Sequence, residues 1–233
     1  MPRLAGGETS RIPHRHYADF DVQKCVTLAG RGGQVLIVGH RLSAGQTALE
    51  LFDAGLRVAI SHRSPIRFGV DDWLWPLVYR TFAWAEAMRL KFSGGAAGKL
   101  DVVMPGGRVR KLIDSGAIQT FPAVASLEDD TVIFENGTTL APGLVLYATG
   151  FAPGLRHLHS LGLETHPDIG VPLTSHMESV NVPDLFFLGF EMLRNFQSRF
   201  LRGIRNDAIV LAGIVEQRAA RAHSRNPREL CPA

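Results

Sequence analysis

The chain has 233 residues, of which 45% are hydrophobic and 20% charged, as in an ordinary soluble protein of one large or two small domains. Its net charge is only +3 and its basic residues are scattered, which argues against nucleic-acid binding. No apolar signal-peptide core and no uncharged membrane-length run is present, and the two cysteines, Cys25 and Cys231, form no CxxC pair. We therefore expect a cytoplasmic protein without an integral membrane segment, and we interpret His14 and His16 as solvated side chains rather than as metal ligands.

The N-terminal part of the sequence predicts a leading segment followed by a βαβ unit. Residues 1–33 are polar and glycine-rich, and we predict a loop with at most one short strand. The continuous apolar run Gln34–Gly39 is typical of a buried parallel strand. Helical spacing follows over Ser43–Ala54, with Gly55 just past its end, and Arg57–Ser61 is the next apolar run. Strand, turn, helix and strand in this order define a βαβ unit.

The rest of the chain predicts further helices and several short strands. An aromatic-rich helix is expected at Trp73–Lys91 and a short helix at Arg108–Asp114. Asn136-Gly137 is a strong tight-turn signal within a predicted β-meander. The strand-like runs of this meander are Ala117–Phe121, Ala123–Leu127, Thr131–Glu135 and Leu144–Ala148. A buried strand is expected at Leu185–Gly189 and a last helix at Gly203–Ala220.

The turn after the first predicted strand partly matches a dinucleotide-binding motif. In GxGxxG the glycines allow a tight turn and a close approach of the backbone to pyrophosphate at a helix N-terminus. Here Gly39 holds the first glycine position, Arg41 the second, and Ala44 the third, where a small residue is accepted. Arg41 either narrows the path of the pyrophosphate or adds a cation beside it, and a site that binds nothing is the third alternative.

Ser43 has two interpretations. Serine is a common N-cap of a helix that follows such a turn. Arg41-Leu-Ser43-Ala-Gly45 is also half of a GxSxG nucleophile elbow, which lies between a strand and a helix in hydrolases. The first glycine of that motif is missing, so we favour the N-cap.

The end of the second predicted strand bears on the choice between NAD and NADP. A site for NAD has an acidic residue there to bind the ribose 2′-hydroxyl. This sequence has Ser61-His62-Arg63-Ser64 and no carboxylate. Arg63 could form a charge-assisted contact with a 2′-phosphate, which favours NADP(H), and a solvated loop arginine is the alternative.

The strand that ends in a small-Thr-Gly corner, Leu144-Val-Leu-Tyr-Ala148-Thr149-Gly150-Phe151, carries a family resemblance. With the βαβ unit ahead of it, the sequence resembles the flavin-containing monooxygenase-like family over roughly residues 30–215, because several stretches agree in order. These stretches are Val38–Gly45, Ser115–Val124, Val132–Gly137, Val182–Gly189 and Leu201–Ala208.

The resemblance implies an α/β fold: a Rossmann-like nucleotide-binding domain with a β-meander, plus part of a second, FAD-type Rossmann-like domain. It implies an oxidoreductase in which NADPH reduces FAD and a small organic substrate is then oxygenated, the flavin supplying the chemistry. We expect Gly39, Arg41, Ser43, Ala44, Ser61 and Arg63 at NADPH. Thr149 and Gly150 are expected near FAD at the crossover between the domains, with Gly189 near its other end.

The sequence departs from the family at its N-terminus. No GxGxxG for FAD pyrophosphate precedes Gly39, and the family's Phe-x-Gly-x-x-x-His-x-x-x-Tyr signature is not present at its spacing. We therefore expect residues 1–23 to be a remnant of the FAD-type domain, 24–145 the NAD(P)H domain and 146–233 the C-terminal part of the FAD-type domain. As a partner we expect either a separate upstream FAD-binding half or a second copy of this chain in a homo-oligomer. The alternative function is a non-catalytic nucleotide-binding module.

Overall fold

A computed structural model describes residues 4–69, 74, 77, 80–81, 103–167, 169–190 and 193–225. The chain divides into two compact units, one made of residues 1–81 and 101–151 and the other of residues 82–100 and 152–233. The predicted helix at Trp73–Lys91 lies almost entirely outside the described residues. No helix in the described part of the chain is long and apolar enough to cross a membrane.

The first unit is built on a five-stranded sheet in which every neighbouring pair of strands is parallel. Its strands are β1 (His14–His16), β2 (Gln34–Val38), β3 (Arg57–Ser61), β4 (Ile118–Phe121) and β8 (Leu144–Tyr147). Their order across the sheet is β1-β8-β2-β3-β4. Apart from Val38, the apolar residues of β2, β3 and β8 are almost fully buried, as expected for parallel strands covered on both faces.

Helices cover one face of this sheet. They are α1 (Val22–Ala29), α2 (Leu42–Asp53) and α3 (Gly107–Asp114). Val35 and Ile37 of β2 share a buried cluster with Ala48 and Leu51 of α2, because alternate residues of a strand point to the same face. The predicted βαβ unit is confirmed to within a residue at each end of its helix, whereas α1 falls in a segment that we predicted to be a loop.

The other face of the sheet is covered by a small antiparallel sheet. It consists of β5 (Val124–Glu128), β6 (Thr131–Phe134) and β7 (Thr139–Leu140). Phe134 and Val132 pack against Leu36 and Val145 of the main sheet. The predicted meander is therefore confirmed only in its middle. Its first and last runs, β4 and β8, pair in parallel with β3 and β2 instead.

The described residues of the second unit form little sheet. A short hairpin joins β9 (Thr174–Ser175) to β10 (Glu178–Ser179), and the long helix α4 (Leu201–Arg225) follows. The prediction of a strand at Leu185–Gly189 is wrong, since this run makes only an isolated bridge from Phe186 to Glu178. A short apolar run does not by itself distinguish a strand from a buried loop. Gly189 has a positive φ of +81°, which breaks an extended conformation.

Candidate nucleotide-binding site

The carboxyl edge of the parallel sheet contains a topological switch point. From β2 the chain continues to β3 on one side, while β8 lies on the other side of β2. In open α/β sheets, ligands bind in the crevice outside the carboxyl ends of the strands at such a point. Gly39, Ser61 and Thr149 leave β2, β3 and β8 at this edge, so the structure brings three separately predicted stretches together.

Gly39 allows the end of β2 to approach the end of β8. Its φ is +150°, and a Cβ atom at this position would lie 2.4 Å from the carbonyl oxygen of Ala148. Its amide donates to the carbonyl of Ser61 at 3.0 Å on the other side. The glycine is thus required by the sheet edge itself, in addition to any ligand that approaches the turn.

The helix after this turn begins one residue earlier than predicted. Arg41 is its N-cap and no side chain caps the helix, so the prediction of Ser43 as the N-cap is wrong. Ser43 is the second helical residue and lies outside a strand-to-helix corner, which also argues against the nucleophile elbow. Arg41 is exposed. The first amides of a helix lack intrahelical acceptors and face outward with a partial positive charge.

Small residues bring α2 close to its neighbours. Ala44, at the third position of the motif, is completely buried. Gly45 follows it, and a Cβ atom there would lie 2.7 Å from both Cγ of Met104 and Cδ of Pro105. Ala44 and Gly45 therefore serve the packing of the helix, which aims its N-terminus at the crevice.

The end of β3 presents Arg63 but not Ser61. Ser61 is 1% exposed, and its hydroxyl donates to the carbonyl oxygen of Pro122 at 2.7 Å. That bond joins the ends of β3 and β4, and it occupies the hydroxyl of a residue that we expected at the cofactor. Arg63 is exposed two residues further on, at the same edge of the sheet.

Thr149 and Gly150 lie at the end of β8 in the first unit, on the same edge as Gly39. Both are exposed, and Gly150 has a φ of +87° with no atom within 4 Å of an added Cβ. We predicted both residues near FAD, and β8, which pairs with β2, places them at the same edge of the sheet as Gly39. Gly189 lies in the second unit, where its Cβ position is 3.3 Å from Cδ1 of Ile204.

Two histidines that we interpreted as solvated lie in β1, next to β8. His14 and His16 are in β1, and Nδ1 of His14 lies 3.0 Å from the hydroxyl of Tyr147 in β8. Burial lowers the pKa of His14 and raises that of Tyr147, so both are neutral near pH 7. The alternation of His14-Arg15-His16 was the available signal, since it places both imidazoles on one face of a strand.

These elements define a Rossmann-like α/β fold with a crevice at the carboxyl edge of its parallel sheet, and comparison with solved structures agrees with that fold class. A double mutant of the flavin monooxygenase from Stenotrophomonas maltophilia is similar to this chain with a TM-score of 0.68 and 21% identity, over 91% of this chain and 58% of that one. The flavin-containing monooxygenase of the same organism gives 0.63 and 19%, over 92% and 59% of the two chains. The resemblance noted in the sequence is thus confirmed at the level of the fold.

A disulfide reductase shares the fold as well. The bacillithiol disulfide reductase from Bacillus cereus gives a TM-score of 0.58 and 19% identity, over 94% of this chain and 58% of that one. The chain therefore spans less than two thirds of the length of each of these three proteins. No family model and no curated protein matches the chain. The fold is thus shared with two flavin monooxygenases and a disulfide reductase, and it does not by itself identify a reaction.

Proposed function

We propose that the crevice at the carboxyl edge of the first unit binds NADP(H). The observation that carries the proposal is the switch point between β2 and β8, with the N-terminus of α2 at the same edge. Amides of the first turn of α2 would receive the pyrophosphate, because the end of a helix attracts anions. Exposed Arg41 would add a cation beside those phosphates, in the place that glycine holds in the common motif.

Arg63 would bind the 2′-phosphate of the adenosine half. It is exposed at the end of β3, the strand whose acidic terminal residue marks sites for NAD, and no carboxylate occurs between Ser61 and Ser64. A guanidinium can form paired hydrogen bonds with a phosphate. Ser61 is left out of this ligand set, because its hydroxyl already donates to Pro122.

The reaction that we propose is flavin-dependent oxidoreduction of the monooxygenase type. Bound FAD would supply the redox chemistry: it would take up a hydride from NADPH and, with dioxygen as co-substrate, allow one oxygen atom to be transferred to a small organic substrate while the other leaves as water. The fold shared with two flavin monooxygenases supports this, as does the ordered agreement of the motifs from Val38 to Ala208. Within these 233 residues the two cysteines, Cys25 and Cys231, form no CxxC pair, which favours oxygenation over dithiol exchange.

A second candidate function is a nucleotide-binding module without flavin. In the described residues both β1-α1-β2 and β2-α2-β3 are strand–helix–strand units, but no glycine lies between β1 and α1, and the strands of the second unit are the two-residue strands of its hairpin. The described residues do not supply a second phosphate-binding turn of the kind that holds FAD.

Flavin uptake distinguishes the two candidates. The purified chain is incubated with excess FAD, passed through a desalting column and examined for the visible absorption of bound flavin. The oxidoreductase proposal expects a yellow protein whose colour bleaches when NADPH is added without oxygen. A colourless protein that still binds NADPH would contradict it and favour the nucleotide-binding module.

A further inference from the structure

An ordered corner follows β8 at the same edge of the sheet. Nε2 of His16 lies 3.1 Å from the carbonyl oxygen of Gly150, and Nδ1 of His16 accepts the amide hydrogen of Ala18 at 3.2 Å. Since Nδ1 is an acceptor, the ring proton belongs on Nε2, where it is donated to Gly150. The imidazole therefore joins the end of β1 to the corner, and both of its nitrogens are bonded.

Phe151, the next residue, is a large aromatic side chain held in place but left open to solvent. It is 69% exposed. Its ring meets His16 edge-on at 5.3 Å and Tyr17 at 6.4 Å, and Tyr17 stacks on Phe20 at 5.8 Å. Ring pairs of this geometry are favourable beyond their buried area. The cluster orients Phe151, yet most of the side chain remains uncovered.

The position of Phe151 at the carboxyl edge of the sheet indicates which part of a ligand would cover its ring. A dinucleotide that crosses the switch point with its adenosine half over β3, at Arg63, directs its other half across β8. The carboxyl ends of β8 and β1 lie on that side, and Phe151 and His16 belong to them.

We propose that Phe151 is the stacking platform for the nicotinamide ring of the dinucleotide and that His16 is the positioning residue that orients it. The inference rests on the proposed binding of NADP(H) and goes beyond it by assigning the nicotinamide half. An aromatic side chain suits a planar heteroaromatic ring whatever its redox state, because stacking needs only a π face. His14 lies two residues before His16 on the same strand. Its Nδ1 is hydrogen-bonded to the hydroxyl of Tyr147, so we assign it no role in orienting Phe151.

The test compares two ligands that differ only in the nicotinamide. Dissociation constants for NADP⁺ and for 2′-phospho-ADP-ribose are measured by calorimetry with the whole chain. Phe151→Leu removes the π face and keeps an apolar side chain, whereas Phe151→Tyr keeps the ring as a matched control. We expect Phe151→Leu to weaken NADP⁺ about 2- to 10-fold and to leave 2′-phospho-ADP-ribose unchanged. Phe151→Tyr should bind both ligands as the parent does.

His16→Ala should weaken NADP⁺ in the same selective way, and His16→Gln, whose amide can still donate to Gly150, should restore most of the loss. An equal effect of Phe151→Leu on the two ligands, or no effect on either, would overturn the platform while NADP⁺ binding itself stands. A parent chain that binds neither ligand would instead remove the proposed function, and the platform with it.

Discussion

Replacing Gly39 with alanine is expected to destabilise the first unit by at least about 3 kcal/mol. The new Cβ would lie 2.4 Å from the carbonyl oxygen of Ala148, and the φ of +150° is unfavourable for any L-residue with a side chain. The neighbour is the backbone of Ala148, a buried residue directly after β8 whose amide donates to the carbonyl of Val38, so it cannot move aside cheaply. Urea unfolding followed by circular dichroism measures the loss of stability.

Gly116→Ala is the matched control for this prediction. Gly116 also has a positive φ, +76°, but no atom lies within 4 Å of its Cβ position. Its substitution should cost only the backbone penalty of about 1–2 kcal/mol. Similar losses in the two variants would show that the ends of β2 and β8 are not in close contact at Gly39.

Arg63→Ala is expected to raise the dissociation constant for NADPH about 10- to 100-fold, because a hydrogen-bonded charge on the 2′-phosphate would be lost. NADH, which lacks that phosphate, should bind the variant as it binds the parent. Arg63→Lys keeps the charge but loses the paired geometry, and it should give an intermediate value. Fluorescence titration of the two reduced nucleotides provides the measurement.

The selectivity of this effect, rather than its size, tests the role of Arg63. Equal weakening of NADPH and NADH would place Arg63 in general nucleotide binding or in the fold. Arg41→Ala is the informative companion, since a cation beside the pyrophosphate should affect both nucleotides alike. If Arg41→Ala weakened the binding of NADPH alone, Arg41 rather than Arg63 would be the residue that contacts the 2′-phosphate.

The sequence predicts the βαβ unit well because its signals are local. The apolar run of β2, the helical spacing of α2 and the glycines that flank this helix all act within a few residues. The position of Arg63 just past the end of β3 could likewise be predicted from the sequence alone. The N-cap of α2 was misplaced by two residues, since the preference of serine for that position is weak beside the turn that Gly39 imposes.

The partners of the strands could not be predicted from the same signals. β1 has only three residues, and its pairing with β8 joins His16 to Tyr147 across most of the chain. Runs that become β4 and β8 resemble the meander strands, because alternation and turn residues do not specify parallel or antiparallel neighbours. The positions of His14, His16 and Thr149 depend on these distant pairings, so the β8 side of the crevice emerges only in the structure.

The path of the dinucleotide across the crevice is tested most directly by titrating ¹⁵N-labelled protein with NADP⁺ and following the backbone amide resonances. If the linked phosphates lie on the tip of α2, the amides of Leu42, Ser43 and Ala44 should show the largest shifts, together with Gly39. Smaller shifts are expected at Arg63 and Gly150. Saturating NADP⁺ that leaves the α2 amides unmoved, or that shifts mainly residues of the second unit, would contradict the proposed site.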